Sequence, residues 1–516
     1  MRRALPDHKT FQIITAAFMI LKLCLHFFTN TNYELHRDEM LYFNMADHLS
    51  FGYATVPPLT ALFAYIVKII FGYSVFGIRF FPAILGALSL LIISKIIHEL
   101  GGGLLALLIA MIAFTFSPGF LLFNTLLTPN VFEQFTWLLI SYLILRLAMR
   151  KNENLWLPIG AITGISFMAK YSIIYFITGF LIALLFSEHR KLLASKKFIP
   201  GIVLAVLIFL PNIIWQYNNS WPLLYHMSEL KKTQLVNMSY DGFFKDLFSL
   251  NSVASLIWLF GLGALLYNNE ERKYRFLGVA SSIIILLFLL SHGKAYYIMG
   301  LIPLLFALGA YTMEKYLPRL ICLSFIAICV HVLVFTMPFA LPVFTFEQLD
   351  KYADRINHAE IYPFSRWEDG KDHGQSQVFS DMTGWDEMTS YVAAAYGQLS
   401  DPEKSNCTIY AERNYGYAGA VHFYGRSRGL PDAITFLESY VYWSPDSIPN
   451  GPFIYINYEI NGLKDKFRYI REVGEVKNKY FREKGVKVFL CREPVTNISE
   501  LYHLQKKEAL RKMNDR

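Results

Sequence analysis

Residues 34–49, ELHRDEMLYFNMADHL, set Asp38 and Glu39 side by side at the start of an amphipathic segment, with Glu34, His36, Arg37 and Asp47 close by. A carboxylate just outside a membrane span can take the proton of an acceptor hydroxyl as a general base. It can also stabilise a developing sugar cation, or hold a divalent ion such as Mg or Mn with Asp38 or Glu39 as ligand. A helix start whose acids favour the N-terminal dipole accounts for the same residues without any chemistry.

Five further clusters combine cations, acids and aromatics. Arg79 follows VPPL (56–59) and a short apolar stretch; its guanidinium suits either a phosphate or snorkelling at an interface. TPNVFEQF (128–135) puts Asn130 and Glu133 at the start of an apolar span, where an ionisable group usually faces a cavity. Lys170, in MAKYS, lies between two spans with almost no loop, and fits a lipid-linked phosphate or a salt bridge to a loop acid. PNIIWQYNNSWPLLYHM (211–227) supplies Trp215, Tyr217, Trp221 and His226, an aromatic belt or the walls of a sugar or isoprenoid site. SHGKAYYIMGLIP (291–303) supplies His292, Lys294, Tyr296 and Tyr297, a phosphate clamp or a set of interfacial anchors.

The elements that must position these residues are apolar helices. Hydrophobic residues make up 54% of the 516 and charged residues 17%, with mean hydropathy +0.33; a disordered chain, a collagen and a small disulfide scaffold are excluded. Charged residues number 40 over residues 1–339 and 48 over the shorter stretch 340–516. The pattern predicts a polytopic α-helical membrane domain (1–339), a linker (340–376) and a C-terminal α/β domain (377–516). The net charge of +8 needs no nucleic acid, because Lys and Arg accumulate in cytoplasmic loops. Five cysteines are too few for a disulfide framework, although Cys407 and Cys491 could pair outside the cytoplasm.

Eleven spans are expected, at 11–28, 75–98, 103–118, 131–149, 155–170, 171–187, 198–216, 251–267, 276–291, 295–313 and 319–339. The first is read as an uncleaved span, since no small-residue cleavage site follows it. Residues 58–72 and 119–129 are too short and are read as interfacial or re-entrant. With the N-terminus cytoplasmic, sixteen Lys and Arg fall inside and eight outside, which places the first loop (29–74), all six clusters and the C-terminal domain on the outer face. In the C-terminal part, WDEMTSYVAAAYGQL (385–399) reads as a helix, CTIYAE, PFIYINY and VKVFLCR as strands, and 503–516 as a solvated helix or frayed end. Tyr415, Tyr417, Tyr424 and Trp443, with the glycines of RNYGYAGA, form either a glycan-binding cluster or a Gly-rich turn with an aromatic core.

In RDEMLYF, PPL, GIRFFPAILGAL, GAITGISFMAKYS, LPNIIWQYNNSWPLLYH and KAYYIMGLIPLLFALGAY, the chain resembles the GT-C superfamily of membrane glycosyltransferases. Within it, the chain is similar to the bacterial branch of the dolichyl-phosphate-mannose protein mannosyltransferase family, which includes aminoarabinose transferases of lipid A. MTGWDEM, RNYGYAGAVHFYG, GLPDAIT and YVYWSP resemble the extracytoplasmic domain of a bacterial subgroup. The resemblance implies a polyprenyl-phosphate sugar donor, transfer at the extracytoplasmic face of the inner membrane and inversion at the anomeric carbon. It makes Asp38 the catalytic base, with Glu39 its neighbour. Two departures stand out: Asn130 where many relatives carry an acid, and Val56 where many carry a lysine.

The resulting expectation is a glycosyltransferase serving a lipid, glycan or protein acceptor. Asp38 and Glu39 form its acid pair, Arg79, Lys170, Lys294, His292 and Tyr297 face the donor phosphate, and Asn130, Glu133, Trp215 and Trp221 line the cavity. A transporter or flippase shares the spans and charges, yet no internal repeat is visible. A non-catalytic envelope assembly protein is the third reading.

Overall fold

The structure, a computed structural model, describes residues 8–355, 366–460 and 462–514. Arg2 and Arg3, counted for orientation, and the middle of the expected linker lie outside the described residues. The membrane part is built from α1 (His8–Thr29), α2 (Arg37–Asp47), α3 (Leu59–Phe71), α4 (Val75–Leu100), α5 (Leu104–Phe116), α6 (Pro118–Phe123), α7 (Pro129–Arg150) and α8 (Trp156–Ala169). It continues through α9 (Ile173–Leu185), α10 (Phe198–Asn218), α11 (Pro222–Thr233), α12 (Tyr240–Asn251), α13 (Ser255–Tyr267), α14 (Arg275–Leu290), α15 (Ile302–Tyr316) and α16 (Arg319–Thr336).

Among the described residues, seven helical stretches are long and apolar enough to cross a bilayer: 9–29, 75–100, 129–150, 198–218, 240–267, 269–290 and 319–339. Four of the eleven expected spans are shorter helices: α5, α8, α9 and α15, of 13, 14, 13 and 15 residues. The burial pattern explains how a helix as short as α15 is tolerated. Residues 302–313 of α15 are buried throughout, so it packs as a central post. On α1, α10 and α16, Ile13, Ile20, Ile199, Leu207, Leu320 and Ile328 are exposed, an apolar surface suited to lipid. Close approach depends on small residues: a Cβ on Gly160 of α8 would lie 2.0 Å from the Gly201 carbonyl oxygen of α10. Within α1, Lys22 donates to the Phe120 carbonyl at 3.2 Å and His26 contacts Thr125 Oγ1 at 3.2 Å, which ties α6 to the first helix.

The C-terminal part contains α17 (Phe346–Arg355), α18 (Gln377–Ser380), α19 (Trp385–Tyr396), α20 (Asp401–Ser405), α21 (Tyr415–Arg426) and α22 (Ile498–Asn514). Its strands are β1 (Thr408–Ala411), β2 (Phe453–Asn457), β3 (Phe467–Glu475) and β4 (Lys487–Pro494), in the order β1-β2-β4-β3. β1 and β2 are parallel and the other pairs antiparallel. The three expected strands and the 385–399 helix are present. β3 and α17 are additions, and RNYGYAGA opens a helix, α21, instead of forming a turn. Cys407 and Cys491 are both free thiols.

The first loop (29–74) does not stand apart from this α/β layer. Leu35, Met40 and Phe43 share one buried core with Trp385, Tyr417 and Val421. Glu34 Oε2 accepts the Trp385 backbone N–H at 2.7 Å and so caps α19 from the membrane side. His422 of α21 stands between Asp47 of α2 (2.9 Å) and Asp432 (2.8 Å), and Asp47 also holds Lys68, Tyr73 and Arg426. Burial lowers the His422 pKa, but the Asp432 and Asp47 carboxylates outweigh it and raise it above 6.5.

A raised folded pKa stabilises fully below the unfolded value and is lost as pH rises through the folded one. The wild type is therefore expected to lose thermal stability as pH climbs from about 6.5 into the alkaline range. His422→Gln is expected to flatten that slope in melting curves followed across the same range.

Candidate active site

The acid pair lies at the mouth of α2. His36 forms the N-cap: its Nδ1 accepts the Asp38 backbone N–H at 3.2 Å, and Glu39 Oε2 accepts the His36 backbone N–H at 3.0 Å. This reciprocal cap sends the two acids in opposite directions.

Glu39 points inward and is fully buried. Arg79 Nε reaches both of its carboxylate oxygens at 3.2 Å, and Nη2 reaches Oε2 at 2.9 Å. The other Arg79 donors go to the carbonyls of Asn30 (2.5 Å), Tyr33 (3.2 Å) and Glu34 (2.6 Å). All five N–H groups are occupied and the side chain is 0% exposed. The expectation that Arg79 binds the donor phosphate does not fit this geometry; it pins the first loop. Nor does Glu39 suit a metal, since its oxygens are taken. Among the described residues, no three His, Cys, Asp or Glu side chains converge as a metal site.

Asp38 points outward and remains partly exposed, at 31% for the side chain. Its Oδ1 accepts the Tyr415 hydroxyl at 2.5 Å. Tyr415 comes from the start of α21, whose packing against α2 needs glycine. A Cβ on Gly419 would meet Met40 Cβ at 2.8 Å, and one on Gly416 would meet Trp385 at 2.6 Å and Arg37 Cβ at 3.1 Å. The NYGYAG pattern is thus a smooth helix face that lets Tyr415 reach the acid. The sequence offered Tyr415 only as part of an aromatic cluster for glycan or core and did not join it to Asp38; the three-residue glycine spacing was the available signal.

Arg37, beside Asp38, is the hub of a charged run. Its Nε lies 3.9 Å from Asp38 Oδ1 and 3.5 Å from Asp381 Oδ2, and its Nη2 lies 3.7 Å from Glu368 Oε2. Glu368 Oε1 in turn accepts from Lys294 Nζ at 2.6 Å. Burial alone would raise the Glu368 carboxyl, but the Lys294 ammonium and Arg37 bring it down to about 2. Lys294 also donates to Gln234 Oε1 at 2.5 Å.

Lys170 donates to Asn130 Oδ1 (2.8 Å) and Glu133 Oε2 (2.9 Å), and Ser172 donates to the other Glu133 oxygen. Asn130 and Glu133 thus position Lys170. Lys170 lies 4.3 Å from the centre of the Tyr297 ring and 5.6 Å from that of Tyr296, while Lys294 lies 5.7 Å from Tyr296. Each ammonium makes two hydrogen bonds and has a third N–H left for a ligand, so the two lysines flank one tyrosine as a ready pair of cations.

Three other expected site residues are placed differently. His292 is exposed, contacts the Met238 carbonyl at 3.3 Å and stacks on Tyr240, so it does not join the lysines. Trp215 sits under Gly52 and against Tyr442 of the C-terminal part, with ring centres 5.7 Å apart. Trp221 takes left-handed backbone, φ 57°, and starts α11.

Fold and site together define a polytopic membrane protein in which a partly exposed acid is linked through Arg37 and Glu368 to one of a pair of cations. Residues 55–215 match the family model described as dolichyl-phosphate-mannose-protein mannosyltransferase, a stretch holding Arg79, Asn130, Glu133 and Lys170 but not Asp38. The chain is 23% identical over 216 residues to lipid A galacturonosyltransferase RgtD of Rhizobium johnstonii. That match spans 40% of this chain and 44% of the relative, less than half its length. The structure of ArnT from Cupriavidus metallidurans bound to undecaprenyl phosphate matches with a TM-score of 0.60 at 12% identity, covering 94% of this chain and 98% of that one. The apo form of the same protein gives 0.61, with the same identity and coverage. The chain has the fold of ArnT.

Proposed function

We propose that the protein is a membrane glycosyltransferase that moves a sugar from a polyprenyl-phosphate donor to an envelope acceptor at the extracytoplasmic face of the inner membrane, with inversion. The observation that carries this reading is the continuous run Asp38–Arg37–Glu368–Lys294, which joins the partly exposed acid to one of the two lysines beside Tyr296. The Lys/Arg bias supports a cytoplasmic N-terminus and an extracytoplasmic C-terminal domain. The name of the Rhizobium relative favours a lipid acceptor over a glycan or protein.

Asp38 removes the proton of the acceptor hydroxyl as that oxygen bonds to the anomeric carbon. The bond from that carbon to the phosphate oxygen breaks, and its electron pair leaves with the carrier phosphate. Lys170 and Lys294 neutralise the charge that develops there, with Tyr296 and Tyr297 as the wall between them. One displacement inverts the centre. Arg79, Asn130 and Glu133 position these groups. Tyr415 fixes Asp38 Oδ1, so that Oδ2 presents its lone pairs to the acceptor.

Membranes given radiolabelled polyprenyl-phosphate sugars should yield a labelled acceptor; a wild type that transfers no label from any such donor would overturn the reading. Tyr415→Phe is expected to lower kcat by roughly 10- to 100-fold, the size of a lost hydrogen bond to a charged group, with the donor KM unchanged. A rise in KM instead would make Tyr415 a binding residue.

A further inference from the structure

Two arginines serve the acid pair, and they are bound in opposite ways. Arg79, on Glu39, has every N–H occupied. Arg37, beside Asp38, is only 16% exposed and lies within ion-pair range of three carboxylates, yet its shortest contact with any of them is 3.5 Å. Among the described residues, its buried Nε has no hydrogen-bond partner. A guanidinium withdrawn from water without close acceptors is costly unless a ligand brings them. The Tyr415 ring lies against it, 5.4 Å from ring centre to the guanidinium carbon, which steadies the planar fork for a bidentate acceptor.

One carboxylate already stands between Arg37 and Lys294. Glu368 Oε1 accepts from Lys294 Nζ at 2.6 Å, and Oε2 lies 3.7 Å from Arg37 Nη2. Burial notwithstanding, the two cations keep it ionised at neutral pH. Glu368 thus occupies the kind of seat that the phosphate of a lipid-linked donor needs: an ammonium on one side, a guanidinium on the other, and the acid 3.9 Å beyond the guanidinium. Two anions in that seat repel each other.

The side chain of Glu368 is free to leave while its backbone stays. The backbone N–H donates to Gln377 Oε1 at 2.9 Å, and the carbonyl accepts from Asn237 Nδ2 at 3.2 Å. The residue sits in a turn closed by the Trp367 N–H on the Lys371 carbonyl, with Gly370 left-handed at φ 77°. The side chain is 29% exposed. Apart from the cations, its carboxylate is held by the neutral Gln377 Nε2 at 3.0 Å. Turning it into water takes a rotamer change and no unfolding.

We propose that Glu368 is a place-holder for the donor's phosphate, and that Arg37 joins the lysines as a ligand of that phosphate. On donor entry the carboxylate swings to solvent. The phosphate then takes two N–H groups of Arg37 and one of Lys294. No covalent bond changes in this exchange. Until the donor arrives, the internal carboxylate keeps the two like charges compensated. The inference rests on the glycosyltransferase reading and adds to it a group that opposes donor binding. A permanent strut, which would hold Arg37 and Lys294 in place for the phosphate, predicts the opposite sign.

The test is a calorimetric titration of the full-length protein in detergent with undecaprenyl phosphate. Glu368→Gln and Glu368→Ala are expected to bind this carrier at least roughly tenfold tighter than the wild type, and Arg37→Gln at least roughly tenfold weaker. Unchanged or weaker binding by the Glu368 variants overturns the place-holder. Unchanged affinity in Arg37→Gln overturns Arg37 as a phosphate ligand. If neither Glu368 variant folds, Glu368→Asp decides, because its shorter carboxylate withdraws from both cations: tighter binding supports the proposal, and equal or weaker binding overturns it. A wild type and variants that all fold yet bind no carrier overturn the glycosyltransferase reading itself.

Discussion

Asp38→Asn is expected to lower sugar transfer by roughly 10²- to 10⁴-fold, the usual contribution of a positioned general base, while leaving the fold intact. The substitution keeps the size of the side chain, and its carbonyl oxygen still accepts the Tyr415 hydroxyl. The reciprocal cap at the start of α2 uses the backbone N–H of residue 38 and the side chains of His36 and Glu39, so the helix is not weakened. The lone pair that would take the acceptor proton is what disappears. Donor affinity, which the proposed mechanism assigns to Lys170 and Lys294, should be unchanged, so the loss should appear in kcat. Initial rates with labelled donor, measured beside a melting curve, check both halves. A variant with near-normal rates would show that another group is the base.

The second large effect is on stability. Arg79→Met is expected to cost about 3–5 kcal/mol, because it leaves the Glu39 carboxylate charged and unpaired in a dry interior, and it also strips partners from the Asn30, Tyr33 and Glu34 carbonyls. The protein should express poorly and melt at a lower temperature, with the first loop most affected. Adding Glu39→Gln to Arg79→Met should recover part of the loss, since removing both charges is less damaging than removing one. A binding role for Arg79 predicts the opposite pattern: an unchanged melting temperature and a raised donor KM.

Arg79 also shows where sequence reading reached its limit. An arginine at the outer end of a span looks the same whether its partner is a lipid phosphate or a glutamate forty residues upstream; only the inward turn of Glu39 decides. Lys170 and Lys294 were legible because they sit where spans end, a place fixed by hydropathy. The helix at 385–396 and strands β1, β2 and β4 were legible from their apolar pattern. β3 was not, since FRYIREVGE is an edge strand whose exposed positions include Arg468, Arg471 and Glu472, charges of the kind that protect sheet edges from further pairing. Tyr415 and Asp38 are 377 residues apart, and no local pattern joins them. Of the helices that fall short of a full span, α15 and most of α5 are enclosed by neighbours and have no lipid to match, whereas α8 and α9 keep exposed apolar residues such as Ile165, Ile174 and Leu185.

The shared core between α2 and α21 has a consequence for how such chains can be recombined. Composition invites a cut near residue 340, with each half treated as a module. A chimaera joined there would give α2 a foreign partner: the glycine-smoothed face would be gone, and Asp38 would lose its tyrosine. A workable graft must transplant residues 29–74 along with the soluble half, so the unit of inheritance in this molecule is discontinuous in sequence.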